Sequence, residues 1–182
     1  MTGTLTDALL AVHAILEDAN VPHALCGGLA ANLYRDEVRA TSDVDLAVAV
    51  GPARLVALVE TFDAAGWRAE AYWKRGDQLR LSRQDLPRVD CIVATTEYER
   101  SAIDRAVPFK LEGADLRVLT AEDLVVFKLA AGRARDYEAV AAVINAMGRR
   151  LDVEYVRGWL DQLGVPDTWD RAMAEARHEA ER

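Results

Sequence analysis

Two aspartates one residue apart, Asp43 and Asp45, open the segment Asp43-Val44-Asp45-Leu46-Ala47-Val48-Ala49-Val50. Val44, Leu46, Val48 and Val50 alternate with Asp43, Asp45, Ala47 and Ala49. This pattern predicts a strand whose two carboxylates leave from one face, with Cα atoms about 7 Å apart. Convergent acidic oxygens on a rigid strand suit Mg²⁺, which takes one or two carboxylates together with substrate phosphates and waters. The same spacing allows two metals bridged by one Asp, the arrangement used for in-line attack at phosphorus. Upstream, Gly27-Gly28 stands between a strand-like His23–Cys26 and a helix-like Leu29–Tyr34. Such a turn offers backbone N–H groups at the positive end of a helix, with no side chain to block a triphosphate. A third acid, Asp90, lies in the apolar run Val89-Asp90-Cys91-Ile92-Val93, where an unpartnered carboxylate is costly. If its strand neighbours that of Asp43 and Asp45, Asp90 completes a three-carboxylate group able to take a proton from an attacking hydroxyl and to help hold a metal. A lone acid-x-acid pair is usually solvated surface and a lone Gly-Gly usually a turn, so it is their combination that restricts the chemistry.

The elements that must position these residues follow from periodicity. Leu9, Val12, Ile15, Leu16 and Ala19 mark a first amphipathic helix over Thr6–Ala19, with Thr6 as its N-cap and Asn20 before Pro22 as its stop. Ala53–Ala65 predicts a helix closed by Gly66, followed by strands at Trp67–Trp73, Gln78–Ser82 and Val89–Ala94, with Gly76-Asp77 as a turn. Weaker strand signals at Val107–Leu111 and Leu116–Leu119 precede a well-capped helix opening at Thr120-Ala121-Glu122-Asp123 and ending at Gly132. Helices then follow from Asp136 to Met147, over Val153–Leu163, and from Pro166-Asp167 onward. The expected fold class is α+β: an α/β-type domain with a mixed sheet flanked by helices over residues 1–119, then a helical C-terminal part, 120–182, packed on it.

Composition bounds the partners. The chain has 182 residues, 22 Lys+Arg against 30 Asp+Glu, a net charge of −8 and 51% hydrophobic residues, enough for a core without disulfides or structural metal. No uncharged apolar run reaches the roughly 20 residues of a membrane span and no signal peptide is visible, so no membrane partner is expected and cytoplasmic residence is. Cys26 and Cys91 sit in apolar segments, as reduced buried thiols do. His13, His23 and His178 are scattered without a second His or Cys at metal-ligand spacing, so a zinc site is not expected. The acidic balance argues against indiscriminate coating of nucleic acid. Between Arg68 and Arg88 that balance reverses, with Arg68, Lys74, Arg75, Arg80, Arg83 and Arg88 against Glu70, Asp77 and Asp85. The patch reads either as a charged sheet edge or as a nucleic-acid contact, and Trp67, Tyr72 and Trp73 read either as core or as base-stacking residues.

Gly27-Gly28, Asp43-x-Asp45 and Asp90 together resemble the nucleotidyltransferases of the DNA polymerase β superfamily. With Asp123–Val140, reading DLVVFKLAAGRARDYEAV, the chain is most similar to the AbiEii-type, toxin-like members. The resemblance covers roughly Ala24–Val140. It implies a transfer of NMP from an NTP such as ATP or CTP to an acceptor hydroxyl, with release of pyrophosphate. Asp43, Asp45 and Asp90 would be catalytic and metal-binding, with Mg²⁺ as the cofactor, two ions being expected. Gly27, Gly28, Lys128 and Asp136 would bind the nucleotide, Lys128 also serving catalysis. Gly28 replaces the Ser of many members, and Arg35-Asp36-Glu37-Val38-Arg39 lengthens the interval to Asp43. Taken as plain residues, Lys128 is the polar position of an amphipathic helix and Asp136 an N-cap. Thr41 and Ser42 either orient Asp43 or simply begin its strand. The expected acceptor is RNA, including a tRNA, with a cognate antitoxin as a possible partner. The alternatives are a small-molecule acceptor of the aminoglycoside or lincosamide type, and a catalytically silent binding protein of the same fold.

Overall fold

The computed structural model describes residues 3–72 and 78–181, with Tyr72 described by its backbone only. Trp73, Lys74, Arg75 and the Gly76-Asp77 turn lie outside the described residues. The chain divides into two compact units, one of Met1–Cys26 with Ala40–Val118 and one of Gly27–Arg39 with Leu119–Arg182.

The first unit is a mixed sheet with helices. Seven strands are described: β1 (His23–Cys26), β2 (Val44–Val48), β3 (Arg68–Tyr72), β4 (Gln78–Arg83), β5 (Leu86–Val93), β6 (Val107–Leu111) and β7 (Ala114–Val118), lying side by side in the order β3-β4-β5-β2-β1-β7-β6. β2 runs parallel to β5 and antiparallel to β1, while β4 is antiparallel to β5 and β1 is parallel to β7. The central strands are buried on both faces, so Val44, Leu46, Ala47, Val48, Val89, Cys91 and Leu81 are all core. Helix α1 (Leu5–Asp18) lays Leu9, Val12 and Leu16 against β5 and β2. Its N-cap is Thr4, not Thr6, because Thr4 and Asp7 form a reciprocal capping box. Helix α3 (Pro52–Ala64) packs beside β3, and α4 (Glu97–Arg105) beside β2. Helix α4 has no counterpart in the sequence reading. It carries its own start signal, since Thr96 Oγ1 accepts from the Glu99 N–H at 3.1 Å and Glu99 accepts from the Thr96 N–H at 2.9 Å.

The second unit is helical. Its short helix α2 (Gly27–Ala31) packs on α5 (Ala121–Ala131) and α6 (Ala134–Met147); α7 (Val153–Gln162) lies against α5, and α8 (Asp167–Ala180) against α6. Helix α5 is apolar nearly all round, which is the pattern of a helix covered on several sides, and Leu124, Val125, Val126 and Leu129 are fully buried. It stops at Gly132, whose φ of 64° is the left-handed conformation that glycine adopts without strain. Tyr155 of α7 donates to Asp123 at 2.6 Å, and Tyr34 donates to the Leu119 carbonyl at 2.8 Å.

Candidate active site

The sheet register decides which side chains meet. Asp45 of β2 stands opposite Asp90 of β5, Arg80 of β4 stands opposite Asp90, and Cys26 of β1 stands opposite Asp45. Arg80, Asp90, Asp45 and Cys26 therefore form one row across four strands, on one face of the sheet. Two carboxylates directly opposite each other repel, and Asp90 is only 5% exposed, so the row requires positive charge. Arginines supply it. Arg80 Nε donates to Asp90 Oδ1 at 2.9 Å, and Arg88 Nε lies 3.2 Å from Asp90 Oδ2 while its Nη2 bonds Asp43 Oδ2. Asp43 precedes β2 instead of opening it, where it is half-buried and the Thr41 hydroxyl donates to its carboxylate at 3.3 Å. Cys91, beside Asp90 in sequence, is fully buried, and burial first, then the charges of Asp90 and Asp45, pushes its thiol well above the ordinary range. It has no character of a nucleophile.

Arg80 and Arg88 were legible only as members of a basic patch, and the register is what turns them toward acids. Another described member, Arg68, is exposed on edge strand β3, where it pairs with Glu70 at 2.7 Å. Trp67 is core, which leaves it no part in stacking bases. The guanidinium of Arg88 stands as a cation between Asp43 and Asp90, and the donors around it are hard oxygens. That set fits a Mg²⁺ ion, provided the arginine yields.

The nucleotide-binding candidates belong to the helical unit. Gly27 has a φ of 65°, a backbone conformation that explains glycine there. Lys128 is not a solvated polar position on α5: it is 9% exposed, with its ammonium 3.5 Å from Asp136 Oδ1. Nor is Asp136 an N-cap. The cap is Arg133, helix α6 begins at Ala134, and Asp136 is buried in its first turn, where Arg133 Nε donates to it at 2.6 Å. Lys128 and the half-exposed Arg133 are two cations sharing the one buried carboxylate of Asp136. Gly27 and Gly28 open α2, the helix that packs with the same two helices, α5 and α6.

A further group was missed. Among the described residues, one set of three or more ligating side chains has its atoms all within 4.8 Å of one another, and it is His13, Glu17 and His23. The four-residue spacing of His13 and Glu17 on one helix was the available signal; that His23 joins them is a tertiary fact.

No curated protein matches the chain in sequence. Solved structures do match in fold. The crystal structure of ANT(2'')-Ia in complex with adenylyl-2''-tobramycin superposes with a TM-score of 0.59 at 18% identity, covering 88% of this chain and 98% of that one. An antigenic nucleotidyltransferase-like protein from Paracoccidioides brasiliensis gives 0.54 at 15% identity, covering 96% and 94%. The lincosamide antibiotic adenylyltransferase LnuA, bound to lincomycin, gives 0.53 at 13% identity, covering 74% and 93%. The family model described as a nucleotidyltransferase of unknown function, DUF6036, matches residues 5–169. A mixed sheet that sets Asp45 opposite Asp90, within a chain matched over most of its length by that model, belongs to this nucleotidyltransferase family.

Proposed function

We propose that this protein is a Mg²⁺-dependent enzyme that transfers NMP from an NTP to an acceptor hydroxyl. The observation that carries the reading is the Asp45–Asp90 pair, two like charges held opposite each other in neighbouring parallel strands with arginines as counter-ions. A fold gains nothing from that repulsion unless the site serves a cation. Asp43, Asp45 and Asp90 would hold the metal, one or two ions, which when bound neutralise charge on the reacting phosphates. Asp90 takes the proton of the acceptor hydroxyl, whose oxygen forms a bond to the α-phosphorus as the bond to the bridging oxygen breaks and pyrophosphate leaves. Gly27, Gly28, Lys128 and Asp136 bind the nucleotide, a reading supported by the resemblance to AbiEii-type enzymes, and the 3.5 Å contact supports a role for Asp136 in holding Lys128 in position.

The acceptor we infer is RNA, including a tRNA, with the protein acting as a cytoplasmic toxin that a cognate antitoxin restrains; support comes from the same resemblance and from two buried cysteines, Cys26 and Cys91, that are not joined in a disulfide. A second reading is a small cationic acceptor such as an aminoglycoside. A net charge of −8 favours it, as does the engagement of Arg80 and Arg88 with carboxylates, which removes two cations from any RNA-binding patch.

The test is transfer of label from each of four α-labelled NTPs onto total RNA and onto an antibiotic panel that includes tobramycin and lincomycin. The wild type is run beside a variant carrying both Asp43→Asn and Asp45→Asn. Label on RNA from the wild type alone supports the first reading, and label on a small molecule supports the second. Equal transfer by the double variant would refute the assignment of the site.

A further inference from the structure

Helix α1 and strand β1 bring together three side chains that the acidic row does not use. His13 and Glu17, four residues apart, share one face of α1, and His23 opens β1. His13 Nδ1 lies 2.8 Å from His23 Nε2, with the rings tilted by 58°, so the contact runs nitrogen to nitrogen and not face to face. The group is well separated from the acidic row along β1: His23 stands opposite Val48, whereas Cys26, three residues on and about 10 Å along the strand, stands opposite Asp45.

The hydrogen bonds fix the tautomers. His23 Nδ1 is 2.7 Å from the Val21 carbonyl, which can only accept, so Nδ1 carries the hydrogen and Nε2 of the neutral ring presents its lone pair. His13 Nδ1–H then donates to it. A backbone carbonyl behind one ring nitrogen is the arrangement that orients a metal-ligating histidine through the other. Burial, the largest influence on His23, pushes its pKa below the ordinary value and so keeps that lone pair available. Two imidazole nitrogens on a tetrahedral zinc ion stand about 3.3 Å apart. The observed pair is closer by only about half an ångström, which places a shared proton where an ion would sit. Glu17 Oε1 lies 3.9 Å from His23 Nδ1, and its side chain, 64% exposed, has room to turn toward the pair. A pocket of about 200 Å³ opens on both histidines and is bordered by Asp104 and Asp115, leaving a fourth position to water or to a carboxylate.

We propose that His13 Nδ1, His23 Nε2 and the Glu17 carboxylate bind one zinc-like divalent transition-metal ion, fastening α1 to β1. Two imidazoles with one carboxylate select such an ion over Mg²⁺, which prefers oxygen alone.

The test uses the full chain stripped with EDTA, titrated with ZnCl₂ by calorimetry and with CoCl₂ by visible absorption, and melted with and without Zn²⁺. The expected result is one ion per chain, cobalt bands of tetrahedral intensity and a Zn²⁺-dependent rise in Tm. His13→Ala and Glu17→Gln should each weaken Zn²⁺ binding about 10-fold or more, while His178→Ala and the Asp43→Asn/Asp45→Asn variant leave it unchanged. If His13→Ala does not fold, the exposed Glu17→Gln carries the test. Absence of stoichiometric binding, unchanged affinity in Glu17→Gln, or loss of binding in the Asp43/Asp45 variant would each overturn the proposal.

Discussion

Replacing Arg88 by Gln should move two observables in opposite directions. Arg88 bridges Asp43 and Asp90, with Nε 3.2 Å from Asp90 Oδ2. A unit-charge pair at such a distance attracts by about 5 kcal/mol at an effective dielectric of 20. The arginine side chain is 43% exposed, so solvent screening reduces each contact toward about 1 kcal/mol or less. Two contacts then contribute about 1–2 kcal/mol in all. Asp90 is not orphaned by the change, because Arg80 still donates to it at 2.9 Å. The ion-free variant should lose about 1–2 kcal/mol, a fall in Tm of about 2–4 °C for each kcal/mol in a chain of this size. The same energy no longer opposes a cation at those oxygens, so Mg²⁺ should bind about 5- to 30-fold more tightly. Calorimetric melting without divalent ions and isothermal titration with MgCl₂ read the two effects separately. A less stable variant with unchanged or weaker Mg²⁺ affinity would show that Arg88 and the ion do not compete, and would refute the account of the site.

The Lys128–Asp136 pair makes an asymmetric prediction. Asp136→Asn deprives a buried ammonium of its carboxylate and should cost about 3–5 kcal/mol. Lys128→Met leaves Asp136 still bonded to Arg133 at 2.6 Å and should cost about 1–2 kcal/mol; urea denaturation giving the reverse order would refute the pairing. In the metal-free protein, His23 has a folded pKa below its ordinary value of about 6.5. The unfolded chain therefore takes up a proton that the folded chain refuses. Stability from this group should be fully present above about pH 6.5 and decline below it, by up to about 1.4 kcal/mol per pH unit. The groups around that ring are His13, Glu17, Asp104, Asp115 and Arg117. Their background is removed by comparing melts of wild type and His23→Gln across that range; parallel curves would refute the assignment.

What was legible in the sequence is what depends on local pattern. The alternation after Asp43 marked β2, and an acid inside an apolar run marked Asp90 as a residue with a reason to be there. Strand ends were less legible: β2 spans Val44–Val48, and Asp43 lies just outside it, because pairing with β1 and β5, not composition, sets where a ladder stops. Helix α4 is mostly polar and was passed over, although its Thr96–Glu99 capping box was in plain view. Arg80 and Arg88 look the same in sequence whether they face solvent or a carboxylate, and only cross-strand register tells the two apart. Asp136 was misplaced by two residues of helix start. That was enough to exchange an exposed cap for a buried partner of Lys128.

The division of the chain has a consequence for how it is made. The helical unit takes Gly27–Arg39 from within the sequence of the sheet unit and the rest from Leu119 onward. During synthesis, α2 therefore leaves the ribosome well before α5 and α6, against which it packs, and must wait through the whole of the sheet unit for its partners. A fragment cut at residue 119 would carry α2 with its apolar side uncovered, so neither unit is obtained intact by a single cut. In a protein read as a toxin, that order of assembly delays completion of the helical unit, which carries the residues assigned to the triphosphate, until the last helices emerge.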